Sequence, residues 1–225
     1  MKLPDIKNPF GAPVYHEGTV SSTMDAARVL AVQNEGHGTV IVADYQESGR
    51  GRLNRAWTAE NAKNLLFTIL LRYGNIPSIP QALTLRTGLA VSLAIEDLAP
   101  ALSGSVLVKW PNDVMIGSRK AVGILTETDG KNVFIGVGVN VSQREFSGEY
   151  RSKAISIIQA VPELGENARF DLLEKILFRL YREIEKPSEA SAAGLLQEVD
   201  SWRERLLSRL YKKGEIVTFA EGSAD

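Results

Sequence analysis

"HGTVIVADYQESGRGRLNRAW", residues 37–57, opens as a β-branched run bounded by glycine and closes as a loop that sets Arg50, Arg52 and Arg55 beside Gly49 and Gly51. The first half reads as a buried strand, because branched side chains suit a pleated surface with neighbours on both sides. The loop therefore leaves a strand end. A second apolar strand follows in "NLLFTILLRY" (64–73). Upstream, "PVYHEGTV" (13–20) reads as a short strand, and Ser21, Ser22 and Thr23 then offer capping oxygens to a helix in which Ala26, Val29, Leu30 and Gln33 recur at helical spacing.

Downstream, 79–100 has a helix-length apolar pattern closed by Pro100, and "SVLVKWPND" (105–113) reads as a strand ending in a turn. Residues 121–142 read as a hairpin through Asp129-Gly130. After residue 150 the pattern becomes helical, over 170–186 and, past Pro187, over 189–210. The order β-α-β-β-α-β-β-β-α-α predicts an α+β domain over 1–210, with a mixed, mostly antiparallel sheet and helices packed on it. Residues 211–225 hold one further β-type stretch, 215–219, which cannot fold alone.

Composition narrows the function classes. The chain has 225 residues, 44% hydrophobic and 24% charged, with Lys+Arg 26 against Asp+Glu 27. Bulk attraction to nucleic acid or to an anionic membrane is not indicated. There is no cysteine, so there is no disulfide scaffold, thiolate metal site or cysteine nucleophile, which fits a reducing compartment. Without a leader-like N-terminus or a long apolar run, the cytoplasm is the expected location.

Four stretches carry candidate chemistry. In the arginine loop, glycines permit close backbone approach and arginines present forks matched to phosphate or carboxylate oxygens; the plainer alternative is a solvated charged loop. Tyr45-Gln46 opens that run and Trp57 closes it. "VKWPNDVMIGSRK" (108–120) places Asn112 and Asp113 in a turn between Lys109 and Lys120, which suits either a surface hairpin or a magnesium-nucleotide site. "GVGVN" (136–140) alternates glycine through an apolar strand, marking close approach by a ligand or by packing partners. The hydroxyls of "SSTMDAA" cap a helix and can also meet a polar ligand. His16 and His37 lack metal-ligand spacing and are given no role.

Taken in order and spacing, Ser22-Thr23, "YQESGRGRLNRAW", "KWPNDVMIGSRKAVGILTE" and "GVGVN" resemble the biotin–protein ligases, over about residues 14–210. The resemblance implies a class II synthetase-like biotin/lipoate ligase catalytic fold. It also implies that biotin and ATP give biotinyl-5′-AMP, with Mg²⁺, and that biotin then passes to one lysine of a biotin carboxyl carrier domain. Ser22, Thr23, Gln46 and backbone at Gly123 would meet the ureido group, with Trp57 against the bicyclic body. Arg50, Gly51 and Arg52 match the family's glycine-arginine lid, mobile without ligand, and Arg55 a phosphate-side arginine. Lys120 and Lys109 match active-site lysines, while Asn112, Asp113 and Asn140 fall where relatives contact Mg²⁺, phosphate or ribose.

The chain departs from that pattern in three places. Met24 stands where most relatives have asparagine. Ala154 falls nearest the position where bacterial relatives often carry an adenine-stacking tryptophan. The usual C-terminal SH3-like β-barrel is represented only by 211–225. The 21 residues before Ser22 are too few for a winged helix-turn-helix, so no operator binding is expected. Relatives often pair through sheet edges, which is compatible with a homodimer. The rival readings are a lipoate or octanoate ligase or transferase of the same fold, a biotin-binding sensor without turnover, and a non-catalytic module whose arginine loop grips RNA, which the balanced charge disfavours.

Overall fold

The computed structural model describes residues 1–3, 5–165, 168–185 and 202–214. Its elements are β1 (Val14–Val20), α1 (Thr23–Val32), β2 (Thr39–Gln46), β3 (Leu65–Arg72), α2 (Leu83–Leu98), β4 (Val106–Lys109), β5 (Asp113–Ile116), β6 (Arg119–Thr128), β7 (Asn132–Val139), α3 (Ile157–Ala160) and α4 (Arg169–Ile184). The seven strands form one sheet in the order β1-β2-β3-β7-β6-β5-β4. Only β1 and β2 run parallel. The mixed, mostly antiparallel α+β architecture is thus present. It has one strand more than the sequence suggests: "VKWPND" is a strand that stops at Lys109, a turn, and then β5. Four residues are too short a run to show period-2 alternation. Among the described residues no helix is long and apolar enough to cross a membrane.

The two faces of the sheet are built for different purposes, and strand alternation makes them so. One face carries Phe67, Ile69, Val122, Ile124, Val137 and Val139, packed beneath Ala90, Val91 and Ala94 of α2 and Leu172, Leu173, Ile176 and Leu180 of α4. Those α4 positions recur at helical spacing, so a single stripe meets the sheet. The opposite face is covered in part by α1, where Met24 and Ala27 pack on Ile41, Leu70 and Phe134. The buried side of α1 is thus Thr23, Met24 and Ala27, whereas Val29 is 56% exposed. Of the expected stripe, Ala26 and Leu30 pack against this cluster while Val29 and Gln33 are exposed, and the deepest contacts come from Met24 and Ala27.

Both sheet edges are partly covered. Lys2 bridges to Tyr15 along β1, and Val108 of β4 exchanges backbone hydrogen bonds with Arg209 (2.8 Å) and Tyr211 (2.9 Å). Residues 202–208 are helical. This segment is held by Leu206 against Leu89 and Val108 and by ion pairs Arg205–Glu183 (2.9 Å) and Arg209–Glu96 (2.7 Å). Of the helix expected over 189–210, residues 189–201 lie outside the described residues, as do the β stretch 215–219 and most of the proposed barrel remnant.

Candidate active site

Parallel pairing of β1 with β2 sets Val20 opposite Gln46, so the β1–α1 turn arrives at the end of β2. There the backbone N–H and the hydroxyl of Thr23 both donate to Gln46 Oε1, at 2.8 and 3.0 Å. Because a backbone N–H can only donate, this contact fixes which end of the Gln46 carboxamide is oxygen. The Thr68 hydroxyl of β3 donates to Thr23 Oγ1 at 2.9 Å. Ser22 caps α1, its oxygen accepting from the Met24 N–H at 3.2 Å. Its hydroxyl proton remains to be donated.

Alternation puts Gly123, Gly136 and Gly138 on the α1 face, opposite the valines of the packed face. Gly123 and Gly138 are register partners across β6 and β7. A Cβ on Gly138 would stand 2.5 Å from Trp57 Cε2, and one on Gly123 2.7 Å from Trp57 Cζ3. The indole therefore lies on these two glycines, and the close approach foreseen at "GVGVN" is made by a side chain of this chain. Gly136 gives the same clearance to Met24, whose sulfur would be 3.0 Å from a Cβ there. Lys120 Nζ lies 5.5 Å from the Trp57 ring centroid. The buried Trp57 Nε1 has no hydrogen-bond partner among the described residues.

The arginine loop is a small hairpin. Gly51 N–H donates to Arg55 O (2.7 Å) and Trp57 N–H to Gly49 O (2.9 Å) around a 3₁₀ turn, Arg52–Asn54, in which Leu53 sits at φ 55° and is 81% exposed. The glycine this geometry requires is Gly49, whose Cβ would be 2.5 Å from the Trp57 carbonyl oxygen; at Gly51 the nearest atom is 3.4 Å away. Arg50 lines the cleft with Arg52 and Arg55 but is engaged differently from them. Its guanidinium forks onto Asp25 in the first turn of α1, at 2.8 and 2.6 Å. The expected lid is thus clamped at its base, leaving Arg52 and Arg55 exposed at its tip. Arg52 donates to Asn112 Oδ1 at 3.3 Å.

The clamp is pH-sensitive. The Arg50 hydrogen bond holds the Asp25 carboxyl below its ordinary value of 3.8. A depressed carboxyl stabilises the folded form above that ordinary value, and the contribution is lost as pH falls through the lower folded value. Asp25→Asn is expected to reproduce at neutral pH the loop release that acid produces in the parent, read as faster tryptic nicking at Arg52 and Arg55. Unchanged nicking would remove the clamp from consideration.

At the β4–β5 turn, which contains a cis Trp110–Pro111 bond, Asn112 is a brace: its Nδ2 donates to Ile124 O at 2.8 Å and its own carbonyl accepts from Ile124 N at 2.9 Å. Asp113 pairs with Lys120 at 2.7 Å. The buried Asn140 donates to Ile155 O (3.3 Å) and Lys120 O (3.5 Å). The Lys120 backbone is further held by Lys153 O and Ile155 N, at 2.8 and 3.0 Å. Asn112 and Asn140 thus position neighbours with the amide groups that the sequence suggested for ligand contacts. Lys109 is exposed at the end of β4.

These parts surround one cleft of about 950 Å³, a size suited to a cofactor-sized ligand. It brings together every residue singled out from the sequence: Ser22, Thr23, Met24, Gln46, Arg50, Gly51, Arg52, Arg55, Trp57, Lys109, Asn112, Asp113, Lys120, Gly123 and Asn140. Its lining holds six basic side chains, the five above and Lys153, against one acidic, Asp113. Sequence reasoning missed Lys153, Trp110, Phe146 and Tyr150 at this cleft and Thr68 behind it. For Thr68 a signal existed, a lone hydroxyl inside "NLLFTILLRY", since a buried hydroxyl needs a partner.

The profile of the Biotin/lipoate A/B protein ligase family matches residues 18–141. The Bifunctional ligase/repressor BirA of Bacillus subtilis is 38% identical over 166 residues, 69% of this chain and 49% of its own length. The Biotin–[acetyl-CoA-carboxylase] ligase of Mycobacterium tuberculosis is 36% identical over 107 residues, 47% of this chain and 40% of its own. The chain spans about half the length of the curated relatives it matches. Among solved structures, the biotin protein ligase from Aquifex aeolicus in complex with biotin and ATP has a TM-score of 0.75 and 30% identity, over 90% of this chain and 80% of that one.

Proposed function

Since the chain belongs to the biotin/lipoate A/B protein ligase family, we propose that it activates biotin with ATP as biotinyl-5′-AMP and transfers the biotinyl group to a lysine of a biotin carboxyl carrier domain. The polarity of the cleft carries this reading. At the β2 end, Gln46 Oε1 is occupied by two donors, so what Gln46 and Ser22 can offer a ligand is N–H and O–H. Such an end suits a carbonyl acceptor, as in a cyclic urea, and offers nothing specific to a dithiolane or an alkyl tail. At the other end the excess of cations suits a carboxylate facing a triphosphate.

In the first step a carboxylate oxygen of biotin attacks the α-phosphorus, the bond to the bridging oxygen breaks, and pyrophosphate leaves. Lys120, Arg52 and Arg55 offset the repulsion between the two anions and the charge that builds on phosphorus. Asn140, Asn112 and Asp113 hold Lys120 and the turn in place, and Lys109 and Lys153 add positive charge at the mouth. In the second step the deprotonated amine of the carrier lysine attacks the acyl carbon and AMP departs. The mixed anhydride needs shelter from water between the steps, which the tip of the arginine loop supplies.

The donor set does not fit a resident Mg²⁺ site. Among the described residues no group of three or more His, Asp or Glu side chains could hold a metal ion, and Asp113 is already paired with Lys120. Mg²⁺ would enter on the phosphates of the nucleotide, and no step is assigned to a protein-held ion. Exposed Trp110 (66%) and Tyr150 at the cleft are the ring systems available to an adenine in place of Ala154.

The deciding experiment gives the purified chain MgATP with biotin, lipoate or octanoate, and then a carrier domain. Pyrophosphate release with biotin alone, followed by a biotinyl mass increase on one carrier lysine, is the expected result. Turnover of lipoate instead of biotin would overturn the substrate, and tight biotin binding in calorimetry without labelling would identify a sensor.

A further inference from the structure

We infer that Thr68, which lies behind the cleft, is a positioning residue that sets the ligand preference of the pocket through a hydrogen-bond relay into the sheet. The inference rests on the reading of the β2 end as a ureido site and adds the residue that orients it. Thr68 is 0% exposed in the middle of β3, where Phe67 and Ile69 point to the opposite, packed face. Its hydroxyl donates to Thr23 Oγ1 at 2.9 Å, and Thr23 in turn donates to Gln46 Oε1 at 3.0 Å. Each hydroxyl gives its single proton forward, so the chain of bonds has one direction, Thr68 to Thr23 to Gln46.

That direction has a chemical consequence at the cleft. With Thr23 Oγ1 accepting from below, its proton is committed to Gln46, and Gln46 Oε1 holds two donors. The carboxamide cannot turn over without losing both, and it presents its Nε2 hydrogens to the ligand. Bonds in such a chain polarise one another, so the donor at the open end is strengthened by the hydroxyl at the buried end. Removing the Thr68 hydroxyl leaves Thr23 Oγ1 without its donor, so the Thr23–Gln46 bond loses the contact that orients and polarises it. The preference for an acceptor oxygen at the ligand then weakens, although Thr68 need not touch the ligand.

The test compares Thr68→Val, Thr68→Ala and Thr68→Ser with the parent, using biotin and 2-thiobiotin, whose sulfur is a weak acceptor in place of the ureido oxygen. For Thr68→Val and Thr68→Ala the KM for biotin in pyrophosphate release should rise about tenfold, with kcat nearly unchanged and a reduced preference for biotin over 2-thiobiotin. Thr68→Ser should restore KM and preference. The Ala and Ser pair isolates the hydroxyl even if Thr68→Val folds poorly. Calorimetric Kd values for both ligands read the same preference without turnover, so a parent that binds biotin but makes no adenylate would sink the ligase assignment and leave this test standing. Unchanged KM and preference in Thr68→Ala, or equal losses for the two ligands, would overturn the relay.

Discussion

Lys120→Met should slow pyrophosphate release from biotin and ATP by about 10²- to 10³-fold, the range seen when one preorganised charge-stabilising donor is removed. The side chain is held for this task more firmly than its length suggests. Its backbone is anchored on both sides by the segment 153–155, its carbonyl receives Asn140, and its ammonium lies 2.7 Å from Asp113 and over the Trp57 ring. Methionine keeps the stem and its packing, so the loss should appear in kcat rather than in unfolding. The change also leaves the Asp113 carboxylate facing the anionic ligand. The double variant Lys120→Met, Asp113→Asn should therefore recover part of the rate, whereas Asp113→Asn alone should cost less than Lys120→Met. A Lys120→Met enzyme at parental rate would remove Lys120 from the chemistry.

Gly138→Ala is expected to have the second largest effect, and to act on binding. The added methyl would lie 2.5–2.7 Å from three atoms of the Trp57 ring, and a rigid indole seated on two register-paired glycines cannot bend out of the way. The ring must lift. Overpacking of this kind costs about 1–3 kcal/mol, and here it also disturbs the loop, because the Trp57 carbonyl abuts Gly49 and its N–H bonds to Gly49 O. A shifted tryptophan emission spectrum, a lower melting temperature and at least tenfold weaker biotin binding should appear together. Gly51→Ala is the control: its backbone is extended (φ −114°, ψ −171°) and its Cβ meets an atom only at 3.4 Å. Were Gly51→Ala to impair binding as much as Gly138→Ala, the packing account of the glycines would fail.

Much of the fold was legible because it is local. β2, β3, α2, the Asp129-Gly130 hairpin and α4 each announce themselves by periodicity and turn chemistry within one window. The valine-glycine alternation of β7 carries more: it states that one face of that strand is packed and the other must admit something close. What lay outside such windows was not legible. β5 is too short to show a period. In α1 the expected Ala26 and Leu30 pack but Val29 does not, and Met24 and Ala27 make the deepest contacts.

The membership of the site was legible and its wiring was not. The family resemblance implied one shared site for Ser22, Gln46, the arginines, Lys120 and Asp113, and the structure sets them around one cleft. Which arginine is engaged by a neighbouring carboxylate depends on a partner 25 residues away, Asp25, reached only once α1 is docked. That Trp57 occupies the glycine floor depends on the register of β6 against β7, and that Thr68 reaches Thr23 depends on β3 lying beside β2 with α1 above it. By itself the sequence determined most of the elements and the chemistry available, and through its family resemblance the site they share. Only the tertiary structure decided which polar group is spent on its neighbours and which is left for a ligand, because hydrogen-bonding capacity is allotted by distances between residues that the chain order keeps apart.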